Sequence, residues 1–202
     1  MDSTESIKQC TVDTMKILLV DRDPGIARAW REAFAEFVEV EVIEGDYFSR
    51  EADAIVSPAN SFGIMDGGLD LAIRDVLGYE IQRRVQRAIV ERHHGELPIG
   101  CAELVPTGDA RWPHLVVAPT MRIPERVAQT MNAYLAFRAV LLVCKRASIS
   151  SVVCCGLATG IGLMEPRRCA IQMRLAFAHM AGVARIPSFA QIHAVHEALR
   201  TA

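Results

Sequence analysis

The stretch Ala54-Ile55-Val56-Ser57-Pro58-Ala59-Asn60-Ser61-Phe62-Gly63-Ile64-Met65-Asp66-Gly67-Gly68-Leu69-Asp70 decides the fold. It carries a short apolar run into a proline, then into a glycine-rich turn, then into the start of a helix. Residues 54–56 read as a strand covered on both faces, because such strands are continuously apolar rather than alternating. Pro58 lacks the N–H that a sheet ladder needs and stops the strand. Helical spacing resumes at Leu69-Asp70-Leu71-Ala72-Ile73-Arg74. A glycine loop that feeds a helix gathers backbone N–H groups beside the positive end of the helix dipole, which makes it a candidate anion nest.

The same pattern recurs downstream. Val152-Val153-Cys154-Cys155 reads as an apolar strand and flows into Gly156-Leu157-Ala158-Thr159-Gly160-Ile161-Gly162. Two such loops suggest a pyrophosphate ligand. Neither loop fits G-x-G-x-x-G and no Gly-Lys-Ser/Thr occurs, which demotes dinucleotide dehydrogenases and P-loop nucleotide hydrolases.

Outward from these loops, Ile17-Leu18-Leu19-Val20 reads as a strand ended by Asp21-Arg22-Asp23-Pro24-Gly25, with Asp21 and Asp23 as strand-end and N-cap residues. A helix is expected over 26–37 and a half-buried strand over 38–43. Ile81, Val85, Ala88 and Ile89 continue the helical stripe that resumes at Leu69, up to His93-His94-Gly95, and strands are expected at 102–105 and 115–118. Val127, Met131, Tyr134, Leu135, Leu141 and Leu142 predict one buried helix over 125–146. Pro166 opens another helix, along which Cys169, Met173 and Phe177 recur every four residues, and a last helix spans 189–199. Strands alternating with helices predict an α/β fold with helices on both faces of a mixed, largely parallel sheet. Such folds bind ligands at the carboxyl ends of the strands.

The 202 residues suit one domain over 15–202, and residues 1–14 read as a flexible tail. With 51% hydrophobic and 23% charged residues the chain is not intrinsically disordered. A net charge of −2 argues against duplex nucleic acid as a direct partner. Six cysteines without a C-x-x-C pair, and no secretory leader, point to a reduced cytoplasmic protein. Arg138 and Lys145-Arg146 interrupt the longest apolar segment, so no membrane span is expected. His93-His94 with Glu96 reads as a polar helix end, since adjacent histidines diverge, and no metal or cofactor is called for. Arg83, Arg84, Arg87 and Arg92 form a basic helical surface that would favour an acidic macromolecule if it flanked the cleft.

Three ordered motifs carry a family resemblance: Gly45-Asp46, then residues 53–61 with residues 66–73, then residues 156–162. Over about residues 40–180 the chain resembles the ADP-ribose-binding macrodomains. It looks most like the group found in phage tail-associated genes and their bacterial relatives. The resemblance implies a three-layer α/β/α fold and a cleft for ADP-ribose, free or attached to a macromolecule. It implies that Asp46 accepts a hydrogen bond from the adenine amino group and that Asn60 holds the distal ribose. Gly67, Gly68 and Leu69, with Thr159, Gly160, Ile161 and Gly162, would present their backbone to the diphosphate. Asp70, ten residues after Asn60, has the spacing of the family members that hydrolyse ADP-ribose esters, and Asp66 is a second carboxylate near the same ribose.

The chain departs from the family pattern at Ser57-Pro58, where most members have Asn-Ala, so Ser57 stands as an altered polar contact on the floor of the site. Gly162-Leu163 replaces an aromatic-Gly pair, and Arg74 stands where the ester-hydrolysing group often has His. Phe189 is the candidate adenine-side aromatic. The implied activity is removal of ADP-ribose from a protein, nucleic acid or acyl ester through Asn60 and Asp70. The alternatives are a non-catalytic reader and a phosphatase of a terminal ADP-ribose phosphate. A response-regulator receiver is the rival fold suggested by Asp21-Arg22-Asp23. It fails because Ser57 stands where the phosphate-accepting Asp would be.

Overall fold

The structure, a computed structural model, describes residues 15–202; the expected tail lies outside the described residues. Six strands form one sheet: β1 (Lys16–Asp21), β2 (Val40–Glu44), β3 (Ala54–Ser57), β4 (Glu103–Asp109), β5 (Trp112–Val117) and β6 (Ser151–Cys154), in the order β2-β1-β6-β3-β5-β4. All neighbours run parallel except β4, which pairs antiparallel with β5 at one edge. Six α-helices complete the described residues: α1 (Pro24–Ala33), α2 (Gly68–Leu77), α3 (Glu80–His93), α4 (Asn132–Arg146), α5 (Pro166–Met180) and α6 (Phe189–Thr201).

Ile17, Leu18, Leu19 and Val20 are all buried, as are Ala54, Ile55 and Val56, and Val152, Val153 and Cys154. Successive strand residues point to opposite faces, so both faces of the central strands are covered. α1, α4 and α5 pack side by side as one helical group, while α2 and α3 pack together and against β3 and β4. Phe34, Phe37 and Phe177 meet edge to face, with ring centroids 4.9 to 6.2 Å apart, where α1 meets α5.

Asp23 caps α1 through a 2.7 Å bond from the Gly25 N–H, with Pro24 in the first turn. The expected helical stripe from Leu69 to His93 is broken at Gly78, whose φ of 85° ends α2 before α3 begins. Two other expected helices are shorter than their apolar patterns. The first of these ends at Ala33, and Phe34 and Phe37 continue the apolar face from a turn. The expected helix over 125–146 begins only at Asn132. Upstream of it, Val127 and Ala128 are buried by docking on the second glycine loop, where the Val127 N–H donates 2.9 Å to the Gly162 carbonyl. A tight turn thus buries apolar residues that periodicity assigns to a helix.

The last helix is held by a buried cation. Arg168, 5% exposed on α5, donates to the α6 carbonyls of Leu199 (3.2 Å) and Arg200 (3.4 Å) and to Ala202. It also donates to Gln129 and Thr130 ahead of α4. A guanidinium at a helix C-terminus satisfies orphan carbonyls and opposes the helix dipole. Arg168→Met is expected to cost about 2 to 3 kcal/mol in urea denaturation, the scale of losing hydrogen bonds to a charged donor. Faster amide exchange in Phe189–Thr201 would locate the loss.

Candidate functional site

β1, β3 and β6 lie side by side and parallel, so their carboxyl ends open on the same edge of the sheet. There the chain leaves β3 into the first glycine loop and β6 into the second. Between them lies a cleft of about 550 Å³. This is within the usual range for a small-molecule site.

The first loop is set by local bonding. Pro58 ends β3, and residues 59–61 run alongside 120–122: Thr120 N–H donates to Ala59 O (3.0 Å), and Ser61 N–H to Arg122 O (3.1 Å). The Asn60 amide then closes the turn. Its Oδ1 accepts from the Phe62 and Ile64 N–H groups (3.1 and 3.3 Å), and its Nδ2 donates 2.7 Å to Ile64 O. Gly67 is the N-cap of α2 and brings no side chain to it, so the first-turn N–H groups at Gly68, Leu69 and Asp70 stand at the cleft wall without a side-chain cap. Gly68 has φ of +56°, a conformation that glycine adopts without strain.

The second loop follows β6 directly. Its Gly156 N–H donates 3.1 Å to Asp21 Oδ2, and Thr159 Oγ1 donates 3.1 Å back to Gly156 O. Ala158 and Leu163 both sit in the left-handed region, at φ of 65° and 52°. Non-glycine residues enter that region at a cost of about 1 kcal/mol or more, which the surrounding bonds offset.

Of the residues singled out in the sequence, Asp46, Asn60, Asp66, Gly67, Gly68, Leu69, Asp70, Thr159, Gly160 and Ile161 all line this one cleft. Ser57 and Gly162 do not. Ser57 is buried at the end of β3, where its Oγ donates to Asp70 Oδ1. Gly162 is a packing glycine, since a Cβ there would lie 2.5 Å from Ala158 O and 2.7 Å from Val127 Cγ2. By contrast nothing lies within 4 Å of a Cβ built at Gly67, Gly68 or Gly160, so these positions face open space in the cleft. Asp46 caps the short turn at Tyr47–Ser49 and lies 3.1 Å from Arg22 Nη2.

Asp70 is 8% exposed in the first turn of α2. Burial pushes its carboxyl up to about 6; the Ser57 hydroxyl opposes that rise and the neighbouring Asp66 charge adds to it. Burial likewise pushes the Cys155 thiol up, so this cleft-wall cysteine stays protonated and is a poor nucleophile.

Several cleft residues escape a reading of the sequence. Asp21, which local pattern marks only as a strand end, ties the β1 loop to the second glycine loop by accepting from Asp23 and Gly156 N–H. Its place after a parallel strand next to β6 is the signal that could have found it. The aromatic side chains on the wall are Tyr47 and Phe48, whereas Phe189 is 76% exposed and packs on His193. The basic surface of α3 faces a groove beside β4 and contributes nothing to the cleft wall. There Arg84 donates to the Pro106 and Thr107 carbonyls. His93 bonds Glu103 at 2.7 Å, and among the described residues no group of three or more His, Cys, Asp or Glu could hold a metal ion. No helix among them is long and apolar enough to cross a membrane.

Comparison with known proteins converges on one family. Residues 56–173 match the model of the Macro domain. A protein of Aquifex aeolicus is 32% identical over 125 residues, 62% of this chain and 72% of its own. Among solved structures, the macrodomain of Mycobacterium tuberculosis DarG superposes with a TM-score of 0.59 at 22% identity, covering 71% of this chain and 95% of that one. A mutant Oceanobacillus iheyensis macrodomain with ADPR gives a TM-score of 0.57 at 16% identity, covering 81% of this chain and 78% of that one.

Proposed function

The chain belongs to the macrodomain family, and we propose that it binds ADP-ribose between its two glycine loops and hydrolyses ADP-ribosyl ester linkages there. The carrying observation is the position of Asp70: a buried carboxyl at the first turn of an uncapped helix, facing a cleft whose other wall is the second glycine loop. Among the described residues the cleft wall offers a single guanidinium, Arg22, against five carboxylates, Asp21, Asp23, Asp46, Asp66 and Asp70. A diphosphate must therefore be held by backbone N–H groups and the α2 dipole rather than by side-chain cations.

In this reading the Gly67–Leu69 and Thr159–Ile161 backbones hold the diphosphate, Asp46 receives the adenine amino group, and the distal ribose lies over Asp70. The ionised Asp70 takes a proton from a water that attacks the distal-ribose carbon bearing the acceptor; the bond from that carbon to the acceptor oxygen breaks, and the acceptor leaves as its carboxylate or phosphate anion. A carboxyl with pKa of about 6 is ionised at neutral pH and is a stronger base than an exposed aspartate. The substrate is an ADP-ribosylated protein, nucleic acid or small acyl ester. Buried thiols at Cys154, Cys155 and Cys169 agree with a reducing, cytoplasmic compartment.

One observation favours the reader alternative. The Asn60 amide is largely spent on its own loop, which leaves one N–H for a ribose hydroxyl. The phosphatase alternative finds no histidine among the described residues of the cleft wall to act as its acid.

Isothermal titration with ADP-ribose, followed in the same sample by an ester-linked ADP-ribosylated substrate, tests the reading. Micromolar binding with release of ADP-ribose is expected. Binding without release supports the reader, and no binding at millimolar ligand overturns the assignment of the cleft.

A further inference from the structure

Ser57 lies behind the cleft wall, 1% exposed, at the last position of β3. Its carbonyl accepts the Ala118 N–H at 3.0 Å, which fixes the backbone from which the side chain projects. The hydroxyl donates to Asp70 Oδ1. Asp70 belongs to another element, α2, and lies on the cleft wall while Ser57 does not. The strand thus reaches through the wall to hold one oxygen of the carboxylate.

We propose that Ser57 is a positioning residue that fixes the orientation of the Asp70 carboxylate and holds it ionised, so that the β3 terminus governs the pH range in which the site is active. This inference rests on the proposed hydrolysis. The hydroxyl has one proton, and giving it to Oδ1 leaves Oδ2 as the oxygen for a proton from water. A hydrogen bond to the charged form favours that form, against a burial that disfavours it. The other titratable groups facing Asp70 are Asp66 in the glycine loop and the Cys155 thiol after β6. Asp66, when ionised, opposes ionisation of Asp70, and Cys155 stays neutral. Ser57 is thus the donor that counters both burial and the Asp66 charge.

The test follows the Asp70 carboxyl directly by carbon NMR of aspartate-labelled full-length protein, alongside turnover as a function of pH. Ser57→Ala is expected to raise the Asp70 midpoint by about one pH unit. Near pH 6, where half of Asp70 is now ionised, that rise lowers the ionised fraction, and with it kcat, about five-fold. The loss should shrink toward alkaline pH with KM little changed. Ser57→Thr, which keeps the hydroxyl, should retain the parent midpoint. Asp66→Asn should lower it, which checks the titration on a variant that leaves the β3 terminus intact. An unmoved midpoint in Ser57→Ala, or equal shifts in the Ala and Thr variants, overturns the proposal. Because the midpoint is read without substrate, absence of turnover would sink the hydrolase reading while leaving this measurement decisive for Ser57.

Discussion

Asp70→Asn is expected to lower turnover of an ADP-ribosyl ester at least about 100-fold, the contribution of a positioned base, while leaving ADP-ribose affinity nearly intact. The same change should stabilise the protein at neutral pH. Burial raises the Asp70 carboxyl from 3.8 to about 6 on folding, so the native state holds this proton more tightly than the unfolded chain does. Stability from the protonated group is fully present below about pH 4 and is lost as pH rises through about 6. The loss at pH 7 approaches about 3 kcal/mol, at 1.36 kcal/mol per pH unit. The asparagine variant still accepts from Ser57 and has no charge to bury. The two proteins should therefore match in urea denaturation at pH 4 and separate by about 2 to 3 kcal/mol at pH 7. Equal midpoints at both pH values would show that Asp70 is solvated as an ordinary carboxylate.

The second large effect separates two glycines of one loop. Gly160→Val is expected to weaken ADP-ribose binding at least about 100-fold in titration calorimetry without changing thermal stability by more than about 0.5 kcal/mol. Its Cβ meets no protein atom within 4 Å, so the side chain occupies cleft space needed by the ligand. Gly162→Ala should do the reverse. Its Cβ would press on the Ala158 carbonyl and on Val127, and overpacking of this kind costs about 1 to 3 kcal/mol. Strong ligand binding by Gly160→Val would remove the second loop from the site.

Much of this site is legible in the sequence, and the reason is local. A glycine run between an apolar strand and a resumed helical period can be read within fifteen or so residues, and it puts Gly67, Gly68, Leu69 and Asp70 at a helix start. Residues 156–162 repeat the argument after β6. Reading fails where one apolar residue has two ways to be buried. Val127 carries the period of a helix yet is covered by a turn docked on Gly162. Phe189 has the chemistry of a stacking aromatic, yet α6 is tied by Arg168 to α5 and holds that ring away from the cleft.

Local periodicity and backbone preference were sufficient for the order of strands and helices, the two glycine loops and the carboxylate at the first turn of α2, because each depends on residues a few positions apart. Which neighbours those groups acquire depends on the sheet order β2-β1-β6-β3-β5-β4, which no local pattern encodes. That order brings Asp21 within 3.1 Å of the Gly156 N–H, 135 residues away. The fold of the loop turns the Asn60 amide inward and sets Ser57 against Asp70. Burial and hydrogen bonding, the two forces that move the Asp70 carboxyl to about 6, exist only once those distant segments have packed.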